Sequence, residues 1–208
     1  MTRTVLVANR KGGCGKTMTA ITIAGGLAAR GGAVALADAD PQKSALRWLK
    51  HRPAAAPAIT GLDWSRMGDV GDLPRNHGWL VIDAPGAIRG GRAEALVAAA
   101  DVVIAPVLPS YFDEDSTRRF LKDIEEIKRV RKGKVGLHVL ANRVRAQQHA
   151  TERLRAFFAA LGQEPLAWIA ERAAYGDLAE QGLSIFDKPQ RSYAAIRAQW
   201  QPVLDALG

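Results

Sequence analysis

A chain of 208 residues with 48% apolar content can bury a substantial core, and no apolar run in it reaches the roughly 18 residues that a membrane span needs. Its one cysteine excludes an intrachain disulfide framework and any C-x-x-C metal site, and His51, His77, His138 and His149 lack ligand spacing. The 29 Lys and Arg against 21 Asp and Glu give a net charge of +8, which suits nucleic acid, less often anionic lipid, or simply a basic soluble enzyme.

Apolar, β-branched runs at 4–8, 33–37, 79–82, 102–107 and 135–141, with a weaker one at 166–169, predict strands. Helix-period segments at 17–30, 43–50, 92–99, 114–131, 147–161, 173–181 and 193–207 alternate with them. This pattern predicts an α/β fold: a single domain over 1–208, with a doubly wound, mostly parallel sheet flanked by helices. Ligands in such sheets sit outside the carboxyl ends of the strands. The Pro-, Gly- and Asp-rich stretch 51–76 predicts loops, a short helix and at most a minor strand. No further domain is expected ahead of the first strand, and the absence of a charged-then-apolar leader points to the cytoplasm.

The first strand runs into Arg10-Lys11-Gly12-Gly13-Cys14-Gly15-Lys16-Thr17, followed by a helix. Glycines let consecutive N–H groups converge on a phosphate, and the helix adds its positive end to the same point. Lys16 would reach the β- and γ-phosphates and Thr17 would hold Mg²⁺, so the stretch predicts a nucleoside triphosphate site. Arg10 stands where the common loop has its first glycine, and a second lysine, Lys11, follows it. A lysine on the rim cannot easily fold back onto phosphates that its own backbone encloses. It can reach the nucleotide of a facing subunit, as an arginine finger does, or else be a solvated surface lysine. Cys14, beside backbone donors, is expected to have a lowered pKa; it is either a redox switch or a small spacer.

The second strand ends in Asp38-Ala39-Asp40-Pro41-Gln42. Asp40 is expected to position the attacking water and Asp38 to support the metal; the alternative is that Asp40-Pro41 caps the next helix. The third strand ends in Asp83-Ala84-Pro85-Gly86, where Asp83 would bind Mg²⁺ directly or through water and Gly86 would offer an N–H to the γ-phosphate. Asn142, at the end of the fifth strand, either contacts the adenine edge or is an ordinary turn residue. Lys128, Arg129, Arg131 and Lys132, with Arg145 and Arg172, are candidates for sequence-blind phosphate contacts to DNA. The first four serve equally as a solvated helix end. The final helix carries Ile196, Trp200, Val203, Leu204 and Leu207 at helical spacing, which reads as core packing or as a membrane-surface anchor.

K-G-G-C-G-K-T, D-A-D-P-Q and I-D-A-P, with Pro109-Ser110, Asp113 and the segment Glu171-Arg172-Ala173-Ala174-Tyr175, resemble the ParA/MinD family of deviant Walker A ATPases. The resemblance covers nearly the whole chain and fits best the small ParA proteins without an operator-binding domain. It implies an ATP-sandwich homodimer in which Lys11 contacts the partner's nucleotide, non-specific DNA binding by the dimer, and hydrolysis stimulated by a ParB-like or cargo-adaptor protein. It also implies a nucleoid-associated role in positioning plasmids, chromosomes or protein clusters; the core-packing reading of the final helix adds the expectation of no stable membrane association, and the residues that of Mg²⁺. Cys14 and Met18 replace the usual valine and threonine at the ATP pocket. The alternatives are a MinD-like membrane ATPase and a metabolic ligase; an iron–sulfur reductase fails on the cysteine count.

Overall fold

The computed structural model describes residues 2–66, 70–72, 76–86 and 90–208. Within the predicted loop region 51–76, residues 67–69 and 73–75 lie outside them. The described strands are β1 (Arg3–Val7), β2 (Val34–Asp38), β3 (Ile59–Asp63), β4 (Trp79–Asp83), β5 (Val102–Val107), β6 (Gly136–Val144) and β7 (Trp168–Ala170). They form one sheet in the order β3-β2-β4-β1-β5-β6-β7, parallel throughout. The chain winds outward from β1 to one side and then, after β4, to the other. The end of β1 is therefore the switch point of the topology, where a ligand crevice opens.

Alternation along the strands feeds two layers of core. Leu6, Leu80, Ile82, Val103 and Val139 turn to the face covered by α3 (Gly90–Ala99), α4 (Tyr111–Glu125) and α6 (His149–Ala160). Val5, Val7, Leu36, Val81 and Ile104 turn to the other face, covered by α1 (Lys16–Ala29), α2 (Ser44–Lys50), α7 (Ala174–Glu180) and α8 (Ala194–Leu207). Both faces of the central strands are buried, which is why they read as continuous apolar runs rather than alternating ones.

Two elements differ from expectation. The helix expected over 114–131 begins earlier and breaks, giving α4 and a separate turn α5 (Lys128–Arg131), because Ile127 between them is extended (φ −67°, ψ 127°). The last helix packs on the core: Trp200, Val203, Leu204 and Leu207 are all 0–1% exposed, so the apolar side that a lipid anchor would need is occupied.

Candidate functional site

The phosphate loop leaves β1 through Asn9, which fixes its entrance. Asn9 Nδ2 donates to the Pro106 carbonyl at 2.9 Å and to Thr117 Oγ1 at 2.8 Å, and its Oδ1 accepts the Lys11 N–H at 3.3 Å. The exit is Gly15, left-handed at φ 91°, directly before α1. A Cβ there would lie 2.4 Å from Asn142 Nδ2, which itself donates to the Cys14 carbonyl at 2.9 Å. Gly15→Ala therefore combines an unfavourable φ with a clash. It is expected to cost the chain about 1–3 kcal/mol in chemical denaturation, whereas Gly12→Ala, with open space around its Cβ, should cost less.

Inside the loop Lys16, 6% exposed, donates from Nζ to the Lys11 carbonyl at 3.0 Å. Cys14 is fully buried, and burial pushes its thiol up from the ordinary value, against the pull of Lys16. This reverses the lowered pKa expected from the neighbouring backbone donors and favours the spacer role. Lys11 is half-exposed on the rim, and among the described residues its ammonium takes no hydrogen bond. Beside it, α4 presents Asp113, 3% exposed, with Oδ1 unpartnered. Burial raises the Asp113 carboxyl, opposed by the Ser110 hydroxyl and by Lys11 and Lys16.

The two aspartates of the 38–42 segment do different work. Asp38 is buried and accepts the N–H groups of Asp40 at 3.1 Å and Leu46 at 3.0 Å. It thus holds the start of α2, and its charge also reaches Asp83, whose carboxyl it helps to raise. Asp40 accepts Gln42 N–H at 2.8 Å through one oxygen and Gly86 N–H at 2.9 Å through the other. The N–H expected to meet a γ-phosphate is thereby tied to the expected water-positioning residue.

Asp83 is the clearest place for a cation. It is 0% exposed, and among the described residues neither oxygen meets a donor at full hydrogen-bond geometry, the Thr17 hydroxyl being close enough only to lower its pKa. Burial pushes its carboxyl up to about 7, although the Thr17 hydroxyl and the Lys16 charge draw it down. An ionised carboxylate left without donors in such a place is costly, and a hard divalent cation with oxygen ligands resolves that. Thr17 and Asp83 therefore fit Mg²⁺.

A cavity of about 570 Å³ adjoins the loop, lined by Met18, Thr19, Asn142, Ile169, Tyr175 and Trp200 among others. Its floor is braced by the Trp200 indole N–H, which donates to the Tyr175 hydroxyl at 2.8 Å. Asn142 lies at its junction with the loop, with Oδ1 accepting the Arg143 N–H at 3.0 Å. Its amide anchors the phosphate loop, and one further N–H and one lone pair remain for a base.

The expected basic surface is not brought together. Lys128, Arg129 and Arg131 lie in α5 and Lys132 follows it, just ahead of β6, while Arg145 and Arg172 follow the ends of β6 and β7. The nine residues of β6 separate the two groups, about 30 Å at strand rise. Arg129 is partly committed, donating to the Ala98 carbonyl. At the other pole Glu171 binds Arg143 at 2.6 Å and also Arg145, a neutralising residue that sequence reading missed. It also missed Arg155, whose guanidinium lies 4.2 Å over the Trp168 ring; both residues line a cavity with Arg145 and Arg172.

Comparison with known proteins agrees with this geometry. A family profile described as the CobQ/CobB/MinD/ParA nucleotide binding domain matches residues 5–185. The chain is 30% identical over 218 residues to the maintenance of carboxysome distribution protein A of Gloeobacter kilaueensis, covering 99% of this chain and 94% of that protein. It is 28% identical to the protein of the same name from Halothiobacillus neapolitanus, covering 92% and 90%. Among solved structures, apo McdA of Cyanothece superposes with a TM-score of 0.78 at 21% identity, over 100% of both chains. The cell division ATPase MinD of Pyrococcus furiosus gives 0.76 at 16%, again over 100% of both. With its deviant phosphate loop, its three carboxylates and its doubly wound sheet, the chain belongs to the CobQ/CobB/MinD/ParA family of nucleotide-binding domains.

Proposed function

We propose that the chain is a Mg²⁺-dependent ATPase whose ATP-bound homodimer holds DNA without sequence preference and positions a protein cargo over the nucleoid. The observation that supports this reading is Lys11, half-exposed on the loop rim with its ammonium unbonded among the described residues, as a lysine that reaches the nucleotide of a second copy would be. Tyr111 and Phe112, 66% and 72% exposed at the head of α4, add apolar surface on the same side, as a dimer contact requires. The relatives named for carboxysome distribution make a protein assembly the favoured cargo, with an adaptor protein stimulating hydrolysis.

In this reading Lys16 binds the β- and γ-phosphates and Thr17 and Asp83 hold Mg²⁺, which when bound offsets the phosphate charge. A γ-phosphate competes with Asp40 for the Gly86 N–H. Once released, Asp40 is free to orient the attacking water, so the latch and the catalytic group are one residue.

The test is retention of duplex DNA by the parent chain and Lys11→Ala, each with ATP, ADP or no nucleotide. Retention with ATP only, weakened at least about tenfold in the variant and steeply by salt, is the expected result. Retention in every nucleotide state would contradict the switch, as would full retention by the variant. Replacing Lys128 and Lys132, or Arg145 and Arg172, by Glu in separate variants then identifies which pole meets DNA.

A further inference from the structure

At one margin of the sheet β3 pairs, among the described residues, with β2 alone. The Trp64 N–H donates to the Asp38 carbonyl at 2.9 Å, so by the two-residue period the main-chain groups of Thr60 and Leu62 also turn toward β2. Those of Ile59, Gly61 and Asp63 turn outward. The same three residues line a groove of about 620 Å³ together with Leu46, Arg47 and Lys50 of α2. Leu46 and Leu49 are half-buried there, and the space beside Gly61 is narrow: a Cβ at Gly61 would meet Leu49 Cδ1 at 2.9 Å.

Natural sheet edges are usually blunted by inward charges, prolines or bulges. Among the described residues such a device guards one end, where Lys43 pairs with Asp63 at 2.6 Å. That pair cancels its own charge, so the open length carries the unmatched positive charges of Arg47 and Lys50. We propose that this edge receives an acidic, extended segment of a partner protein, added to β3 as a further strand. Its main chain pairs with Ile59, Gly61 and Asp63. Every second side chain faces α2, presenting an apolar group to Leu46 and Leu49 and carboxylates to Arg47 and Lys50.

A strand seated there adjoins the segment that carries Asp40. Lys43, left-handed at φ 51°, joins the 38–42 segment to α2 and holds it to β3 through Asp63. An occupant that disturbs the Lys43–Asp63 pair acts on the chain three residues from Asp40. The inference goes beyond the ATPase reading, because binding at the edge requires no nucleotide.

The probe is a palindromic peptide, acetyl-Thr-Glu-Thr-Val-Thr-Glu-Thr-amide, which presents Glu, Val and Glu on one face in either strand direction. It is titrated into the ¹⁵N-labelled full chain. The Ile59, Gly61 and Asp63 amide signals are expected to shift saturably and gain protection from exchange. Arg47→Glu with Lys50→Glu should weaken binding at least about tenfold, and the milder Gln pair should weaken it less while leaving the fold unchanged by circular dichroism. The same peptide with Lys for Glu should not bind. Equal binding of both peptides, shifts confined to other regions, no response at millimolar peptide, or displacement of these amides by duplex DNA instead of the peptide would each overturn the proposal.

Discussion

Asp83→Asn, in the absence of nucleotide and magnesium, is expected to unfold at a higher temperature than the parent chain at pH 8. The parent carries a buried carboxylate with no partner at full hydrogen-bond geometry among the described residues, held at about 7 rather than its ordinary 3.8. At 1.36 kcal/mol per pH unit the ionised form is penalised by at most about 4 kcal/mol. The sign follows from linkage. The folded pKa lies above the unfolded one, so between about pH 4 and pH 7 the folded chain binds the extra proton and loses stability as the pH rises. The amide needs partners of its own, so the realised gain at pH 8 is expected to be roughly 1–3 kcal/mol, shrinking toward zero near pH 4. Thermal melts at the two pH values measure it, at about 2–4 °C per kcal/mol for this size. Magnesium-dependent ATP hydrolysis by the same variant should fall at least about 100-fold. A variant that melts lower than the parent at pH 8 would show that Asp83 is satisfied in the free chain and that the cation argument fails.

The phosphate loop was legible because its constraints are local. Gly15 needs a left-handed φ and Lys16-Thr17 open a helix, so residue type and neighbours suffice. The central strands were legible for a similar reason, as burial on both faces leaves unbroken apolar runs. β3 was not, because an edge strand with three of its five residues exposed and a glycine at its centre carries almost no apolar signal. The break between α4 and α5 was hidden by good helix formers on both sides of Ile127. Asp38 and Asp40 look alike in D-A-D-P-Q, and only the position of α2 separates a capping carboxylate from one that faces Gly86. That the basic residues form two separate groups was hidden for a different reason. Charge counts along the chain carry no information about which pole of the sheet a residue occupies, and β6 places Lys132 and Arg145 at opposite ends.

Arg52→Ala is expected to destabilise the chain by about 3–5 kcal/mol, the usual cost of orphaning a buried charge. The Arg52 fork meets Asp187 with two bonds of 2.9 Å, and the two side chains are 6% and 2% exposed. Burial works against the Asp187 carboxylate, yet Arg52 and the Ser184 N–H and hydroxyl hold it below its ordinary pKa. The guanidinium also donates to the Gly182 carbonyl at 3.2 Å and stacks 5.0 Å from the Trp48 ring. One side chain thus bolts the end of α2 to the turn at Ile185–Asp187, which packs on α1 behind the phosphate loop. Since the folded pKa of Asp187 is depressed, this stability is present above the unfolded carboxylate value and is lost as the pH falls through the folded one. Denaturation of Arg52→Ala at pH 7 should show the full loss, and the difference from the parent should narrow in acid. Replacing both partners with apolar residues, Arg52→Met with Asp187→Leu, should recover much of it, because no buried charge is then left alone. A loss under about 1 kcal/mol for the single variant would mean that water reaches Asp187 and that the pair is an ordinary surface contact.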